Sequence, residues 1–248
     1  MNYEPIIKGN VKEFSVKPNL LNYEEARESF SWDDIYKELD GLEGGGLNIA
    51  YEAIDRHAKT SLQDKVALYW EGKDGNSEQY TFHDLYILTN RFANALQSLG
   101  IKKGDRVFTY MDRTPEIFIA ILGTLKAGAV VGPLFSAFGP DAVKDRLQDS
   151  GARILITTPG LVATVHEIAG ELPALEKIII VNRRKTPYEL NENEVSYERI
   201  MESASEEFEI VKTEKEDKAI MHYTSGTTGK PKGAVHVHQA VMGHYATA

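Results

Sequence analysis

Residues Tyr223 to Gly233 read Y-T-S-G-T-T-G-K-P-K-G and end fifteen residues before the last residue, Ala248. Four hydroxyls (Thr224, Ser225, Thr227, Thr228), three glycines (Gly226, Gly229, Gly233) and two lysines (Lys230, Lys232) share this short stretch. Glycines allow positive φ, so successive amides can converge on an anion. Hydroxyls add donors, and lysine adds a compact positive charge suited to phosphate. Pro231 fixes φ and removes a donor, which stops the loop from continuing as a helix. The same composition also makes ordinary surface turns. The apolar runs Ala219-Ile220-Met221 and Ala234-Val235 with Val237 frame the loop as two strands, and that frame favours a phosphate cradle.

A nucleotide-binding P-loop requires G-x-x-x-x-G-K-[ST]. Here Thr224 stands where the first glycine should be, and Pro231 follows Lys230. That class is disfavoured.

The elements that must position the loop alternate between strand and helix. Residues 1–46 read as an irregular N-terminal extension ending in Gly44-Gly45-Gly46, and Leu47 to Ala58 as an amphipathic helix. Val66–Trp70 and Glu78–Thr81 flank an Asp74-Gly75 turn as a hairpin. Thr81 caps a helix that Gly100 ends, and Thr114-Pro115 opens another that Gly128 closes. Strands are expected at Val107–Met111, Ala129–Pro133, Ile154–Thr158 and Ile178–Val181. Helices are expected at Pro140–Asp149, near Leu161–Ala169 and from His238 onward. This rhythm predicts an α/β fold with a mostly parallel, doubly wound sheet and flanking helices. The acidic stretch from Glu189 to Asp217 reads as a solvated connector.

Composition narrows the class. The 248 residues are 42% hydrophobic and 26% charged, with a net charge of −9 and no cysteine. A disulfide scaffold and a thiol nucleophile are therefore excluded, and a nucleic-acid surface is disfavoured. No signal-peptide core and no apolar run of membrane-spanning length is present, so a cytoplasmic location and no membrane partner are expected. His236 and His238 would share a strand face, but no carboxylate or cysteine stands by to complete a metal site, and structural or substrate-wall roles are favoured. Phe118, Phe135 and Phe138 read as core or pocket wall.

The loop resembles the phosphate loop of the adenylate-forming superfamily, which includes acyl-CoA synthetases, luciferases and peptide-synthetase adenylation domains. Tyr80-Thr-Phe-His-Asp-Leu85 and Leu125-Lys-Ala-Gly-Ala-Val-Val-Gly-Pro133 are similar to two further motifs of that superfamily, in the right order. Within it, the stretches Asn22-Tyr-Glu-Glu25, Leu47 to His57, Gly132 to Phe138 running into Asp141 to Arg146, and Ala234-Val-His-Val-His238 are most similar to acetate–CoA ligases. The resemblance implies that residues 47–248 are an incomplete N-terminal synthetase domain. It also implies ATP, Mg²⁺ and CoA as ligands, with acetate or another short carboxylic acid as substrate. A carboxylate attacks the ATP α-phosphate to give an acyl-adenylate and pyrophosphate, and the CoA thiol then displaces AMP.

By the same resemblance Thr224, Ser225, Gly226, Thr227, Thr228, Gly229, Lys230 and Lys232 form the nucleotide-binding set, in which Ser225 to Gly229 hold the β- and γ-phosphates and Lys232 either meets phosphate or anchors the loop. Lys232 stands at the fixed lysine position and Lys230 at a variable one, while Thr224 stands beside Mg²⁺. Arg146 and Arg153 could meet a CoA phosphate. The paired arginines of some acetate–CoA ligases are absent from Thr157 to Val162, so CoA contacts are not carried over. The superfamily's adenine pocket, its Mg²⁺ glutamate, its ribose aspartate and the lid lysine that drives adenylation all follow this loop, so no catalytic residue is assigned. The chain alone is expected to be inactive, as part of a larger enzyme or an incomplete gene product. Two alternatives stay open: a noncatalytic nucleotide-binding or split-subunit fragment with the C-terminal portion as a separate chain, and a ligase for a longer, aryl or amino acid.

Overall fold

The structure is a computed structural model that describes residues 15, 16, 18, 20–224 and 229–247. Two compact units divide the chain between Leu39 and Asp40. The first holds two short helices, α1 (Tyr23–Ser29) and α2 (Trp32–Lys37), where the sequence suggested irregular chain. Side-chain caps start both: Asn22 accepts from Glu24 and Glu25 amides, and Ser31 from Asp33. Neither helix buries a residue, which explains why no amphipathic pattern announced them.

The second unit begins at Asp40, earlier than the glycine run. The buried Glu52 carboxylate accepts the Asp40 and Gly41 amides at 3.2 and 2.7 Å. Leu47 donates its amide to the Thr213 carbonyl at 2.9 Å, so the glycines are tied in at both sides. The expected amphipathic helix opens on Asn48, whose Oδ1 accepts from the Ala50 and Tyr51 amides. Its middle, Tyr51–Asp55, is π-helical and passes into α3 (Arg56–Ala58). This turn buries two acids, Glu52 and Asp55. Glu52 is answered by Arg56 at 2.7 Å and Asp55 by the fully buried Lys126 at 2.8 Å.

The hairpin β1 (Val66–Glu71) and β2 (Ser77–Thr81) leads into α4 (Phe82–Ser98). A capping box fixes that entry: the Thr81 hydroxyl accepts the Asp84 amide at 3.0 Å, and Asp84 accepts the Thr81 amide at 2.8 Å. β3 (Arg106–Tyr110), α5 (Pro115–Lys126), β4 (Val130–Leu134), α6 (Pro140–Ser150), β5 (Ile154–Thr157), α7 (Val162–Ile168) and β6 (Lys177–Ile180) follow as expected. The acidic stretch is not only a connector. It contributes β7 (Glu194–Ser196) at the edge of the sheet and α8 (Tyr197–Ser203) packed on it. These elements have three and seven residues, too few to show a period, and their buried members Glu194, Tyr197 and Met201 stand among acids.

The last elements are β8 (Lys218–Thr224), β9 (Lys232–Val237) and α9 (Ala240–Thr247). The seven-stranded sheet has the order β7-β6-β5-β3-β4-β8-β9, parallel throughout except for the antiparallel β8–β9 pair. Alternate residues face opposite sides, so the sheet carries a core on each face. Val107, Ile154, Ile156 and Ile179 pack with Phe92 and Leu96 of α4, Ile119 of α5 and Tyr197 of α8. Phe108, Tyr110, Leu155 and Ile180 pack with Val143 and Leu147 of α6 and Val165 of α7. The sheet is therefore doubly wound. Within β4, Gly132 lies opposite Phe108, and a Cβ there would stand 2.2 Å from the phenyl ring. That contact gives the second glycine of the Leu125–Pro133 motif a packing reason.

Candidate phosphate site and its family

β8 pairs in parallel with β4 through Val131 and Ile220. Its end at Thr224 thus lies at the carboxyl edge of the sheet, where α/β folds hold ligands. The strands return as a hairpin: Tyr223 faces Gly233 and Thr224 faces Lys232. Ser225, Gly226, Thr227 and Thr228 lie outside the described residues. Thr224, Gly229, Lys230 and Lys232 are described, and the hairpin brings the two ends of the loop together. Gly229 has φ of +89°, the left-handed region that favours glycine. Thr224, Lys230 and Lys232 are exposed, and no salt bridge joins either lysine to a described carboxylate. Two uncommitted ammonium groups beside a hydroxyl suit a polyphosphate. Thr224 Oγ1 lies 3.5 Å from the Lys232 carbonyl, a weak bond that leaves the hydroxyl available.

Among the described residues no cluster of three carboxylates or histidines could hold a metal.

Tyr223 fixes the root of the loop. Its ring packs 6.4 Å from that of Phe108, and its hydroxyl donates to Asp149 Oδ2 at 2.6 Å. Burial and the Asp149 carboxylate push the phenol well above its ordinary range, so it stays protonated as the donor. Arg146 lies between two rings, 4.2 Å from Phe138 and 5.8 Å from Tyr223. Its Nη1 donates to the Ala142 carbonyl at 2.6 Å, while its buried Nε has no partner. Arg153, by contrast, is bound to Asp105 and bidentately to Glu176, so its charge is already matched.

His236 and His238 do not share one face, since His236 is exposed and His238 buried. His222 and His236 meet edge to face at 5.8 Å across the two strands. His238 lies beyond β9, fully buried, where its Nδ1 accepts the Ile49 amide at 3.1 Å. Of the three phenylalanines expected in core or pocket wall, Phe118 and Phe135 are exposed and so do not fill the core, while Phe138 packs partly against the interior. Asp149 was not legible as a partner for Tyr223, because 74 residues separate them.

Residues 54–248 match the family described as AMP-binding enzyme. Among curated proteins, the acetyl-coenzyme A synthetase of Bacillus subtilis is 42% identical over 231 residues, covering 92% of this chain and 39% of that protein. The 3-hydroxypropionyl-coenzyme A synthetase of Sulfurisphaera tokodaii is 35% identical over 256 residues, covering 94% of this chain and 38% of that protein. Among solved structures, an acyl-CoA synthetase of Brucella canis superimposes with a TM-score of 0.80 at 30% identity, over 89% of this chain and 39% of that one. The chain thus spans less than two fifths of the length of these relatives. With the loop at the carboxyl edge of a doubly wound sheet and a family match over most of its residues, this chain belongs to the AMP-binding enzyme family.

Proposed function

We propose that these residues supply the phosphate-holding part of an AMP-forming acyl-CoA synthetase, and that its acid is acetate. The observation that carries the reading is the exposed, uncommitted Lys230 and Lys232 beside Thr224 and Gly229, on a hairpin at the carboxyl edge of the parallel sheet. In such a reaction the carboxylate oxygen attacks the α-phosphorus of ATP, and the bond to the bridging oxygen breaks as pyrophosphate leaves. Negative charge builds on the departing group, and fixed donors and lysine charge oppose it without reorganising. Lys232 continues directly into β9, so its position is set by strand pairing, whereas Lys230 precedes Pro231 in the loop. Lys232 is accordingly assigned the larger share. Ser225, Gly226, Thr227 and Thr228 complete the proposed cradle, and Mg²⁺ enters with the nucleotide beside Thr224.

Acetate rests on the likeness to the Bacillus subtilis protein, and the 35% identity to a 3-hydroxypropionyl synthetase names the competing acid. CoA as the second acceptor and a cytoplasmic setting belong to the same reading. Titration of the 248-residue chain with magnesium pyrophosphate, followed by ³¹P resonance, tests the cradle. Binding is expected, weakened about tenfold by Lys232→Ala and less by Lys230→Ala, in line with loss of a charge-assisted contact of about 1.5 kcal/mol. Wild-type chain that leaves the pyrophosphate signal unmoved at millimolar concentration overturns the assignment.

A further inference from the structure

We infer that Asp149 and Tyr223 act together as positioning residues for phosphate binding: the carboxylate on α6 holds the tyrosine, and the tyrosine holds the root of the β8–β9 hairpin. This rests on the phosphate-cradle reading above. Three observations support it. First, Tyr223 is immobilised on several sides, by Phe108 beneath, by Arg146 on α6 and by Asp149 through its hydroxyl. Second, the cross-strand partner of Tyr223 is Gly233, where a Cβ would lie 3.5 Å from the phenol ring, so β9 approaches this ring without a side chain between. The tyrosine thereby fixes both strands at the point where they enter the loop. Third, Asp149 is exposed, and among the described residues it has no salt bridge and accepts a side-chain hydrogen bond only from Tyr223.

The consequence is geometric. Thr224 follows Tyr223 directly, and Lys232 precedes Gly233 directly. A tyrosine free to turn about its side-chain bonds would let these two feet shift against α6, and misplacement of a binding group by even 1 Å costs much of its effect. Among the described residues Asp149 has no hydrogen bond or ion pair with Thr224, Lys230 or Lys232, so its proposed route to the phosphate runs through Tyr223.

The experiment uses the 248-residue chain with magnesium pyrophosphate as probe and compares wild type, Tyr223→Phe, Asp149→Ala and the double variant. Each single change is expected to weaken pyrophosphate binding about fivefold, as loss of one charge-assisted hydrogen bond would. The double variant is expected to be no weaker than either single one, because both remove the same bond. Pyrophosphate affinities of both single variants within twofold of wild type, or losses that simply multiply in the double variant, overturn the inference. Asp149→Ala at an exposed helical position keeps the fold, and its unfolding midpoint verifies this. If wild type binds no pyrophosphate, the cradle reading fails on its own. Amide spectra of the ligand-free chain then decide the positioning role: Asp149→Ala moves the Gly229 and Lys232 amides if the link exists, and unmoved amides refute it.

Discussion

His238 spends Nδ1 on the Ile49 amide, so its remaining proton sits on Nε2, which is buried with no partner. A second proton would have to displace the Ile49 bond. Burial, opposed in part by Asp217, holds the imidazole down to about 4, against 6.5 when free. The folded state thus disfavours the protonated form. Its contribution is fully present above pH 6.5 and is lost as pH falls toward 4, by up to about 3 kcal/mol at 1.36 kcal/mol per unit. Unfolding midpoints measured from pH 7.5 to 4 should therefore fall more steeply for wild type than for His238→Asn, which does not titrate. Equal slopes would show that this ring does not sense acid. Lys126 shows the same physics in a stronger base: burial pushes its ammonium down to about 8, while Asp55 and Asn90 hold it at 2.8 and 2.7 Å.

At the scale of elements, the β3–β4 pair depends on Gly132 beneath the Phe108 ring. Gly132→Ala places a methyl 2.2 Å from that ring, which must move within a packed core. Overpacking of this kind costs about 1–3 kcal/mol, or roughly 2–12 °C in the unfolding midpoint for a chain of this size. A midpoint within 1 °C of wild type would show that the ring relocates freely. The central strands were legible because Ile154 to Thr157 and Lys177 to Ile180 are short apolar runs, as strands covered on both faces must be. Thr81 announced the start of α4 as an N-cap by local chemistry alone, and Asp84 completes a capping box there. β7 and α8 were not legible, since the buried Glu194 is answered by His166, 28 residues earlier, at 2.6 Å, as well as by Tyr188 at 2.8 Å. The π-helical turn at Tyr51–Asp55 was equally silent, because Lys126, which answers Asp55, lies 71 positions further along.

For the whole molecule, the relatives are more than twice as long as this chain, so the proposed reaction is assigned to a protein of their length. Residues 1–248 alone are expected to give no ATP–pyrophosphate exchange with acetate above the blank, while a full-length counterpart carrying them exchanges faster with acetate than with 3-hydroxypropionate. Turnover by the 248 residues alone, or the reverse acid preference, would contradict these two expectations separately. The candidate site was legible as a residue list, because hydroxyls, glycines and lysines are dense between Thr224 and Lys232. Its supports were not, since Asp149 meets Tyr223 only when α6 has folded against the sheet.

The position of β8 beside β4 also bears on the order of assembly. β3, β4, β5 and β6 pair with strands that follow one another closely in the chain, whereas β8 reaches β4 only after Lys218 has been made. Closing so long a loop is slow, and parallel pairing gives no reward until it closes. Until then the free edge of β4 is an unpaired template that can recruit other chains. The hairpin that carries the phosphate loop thus covers β4 and moves the edge of the described sheet out to β9.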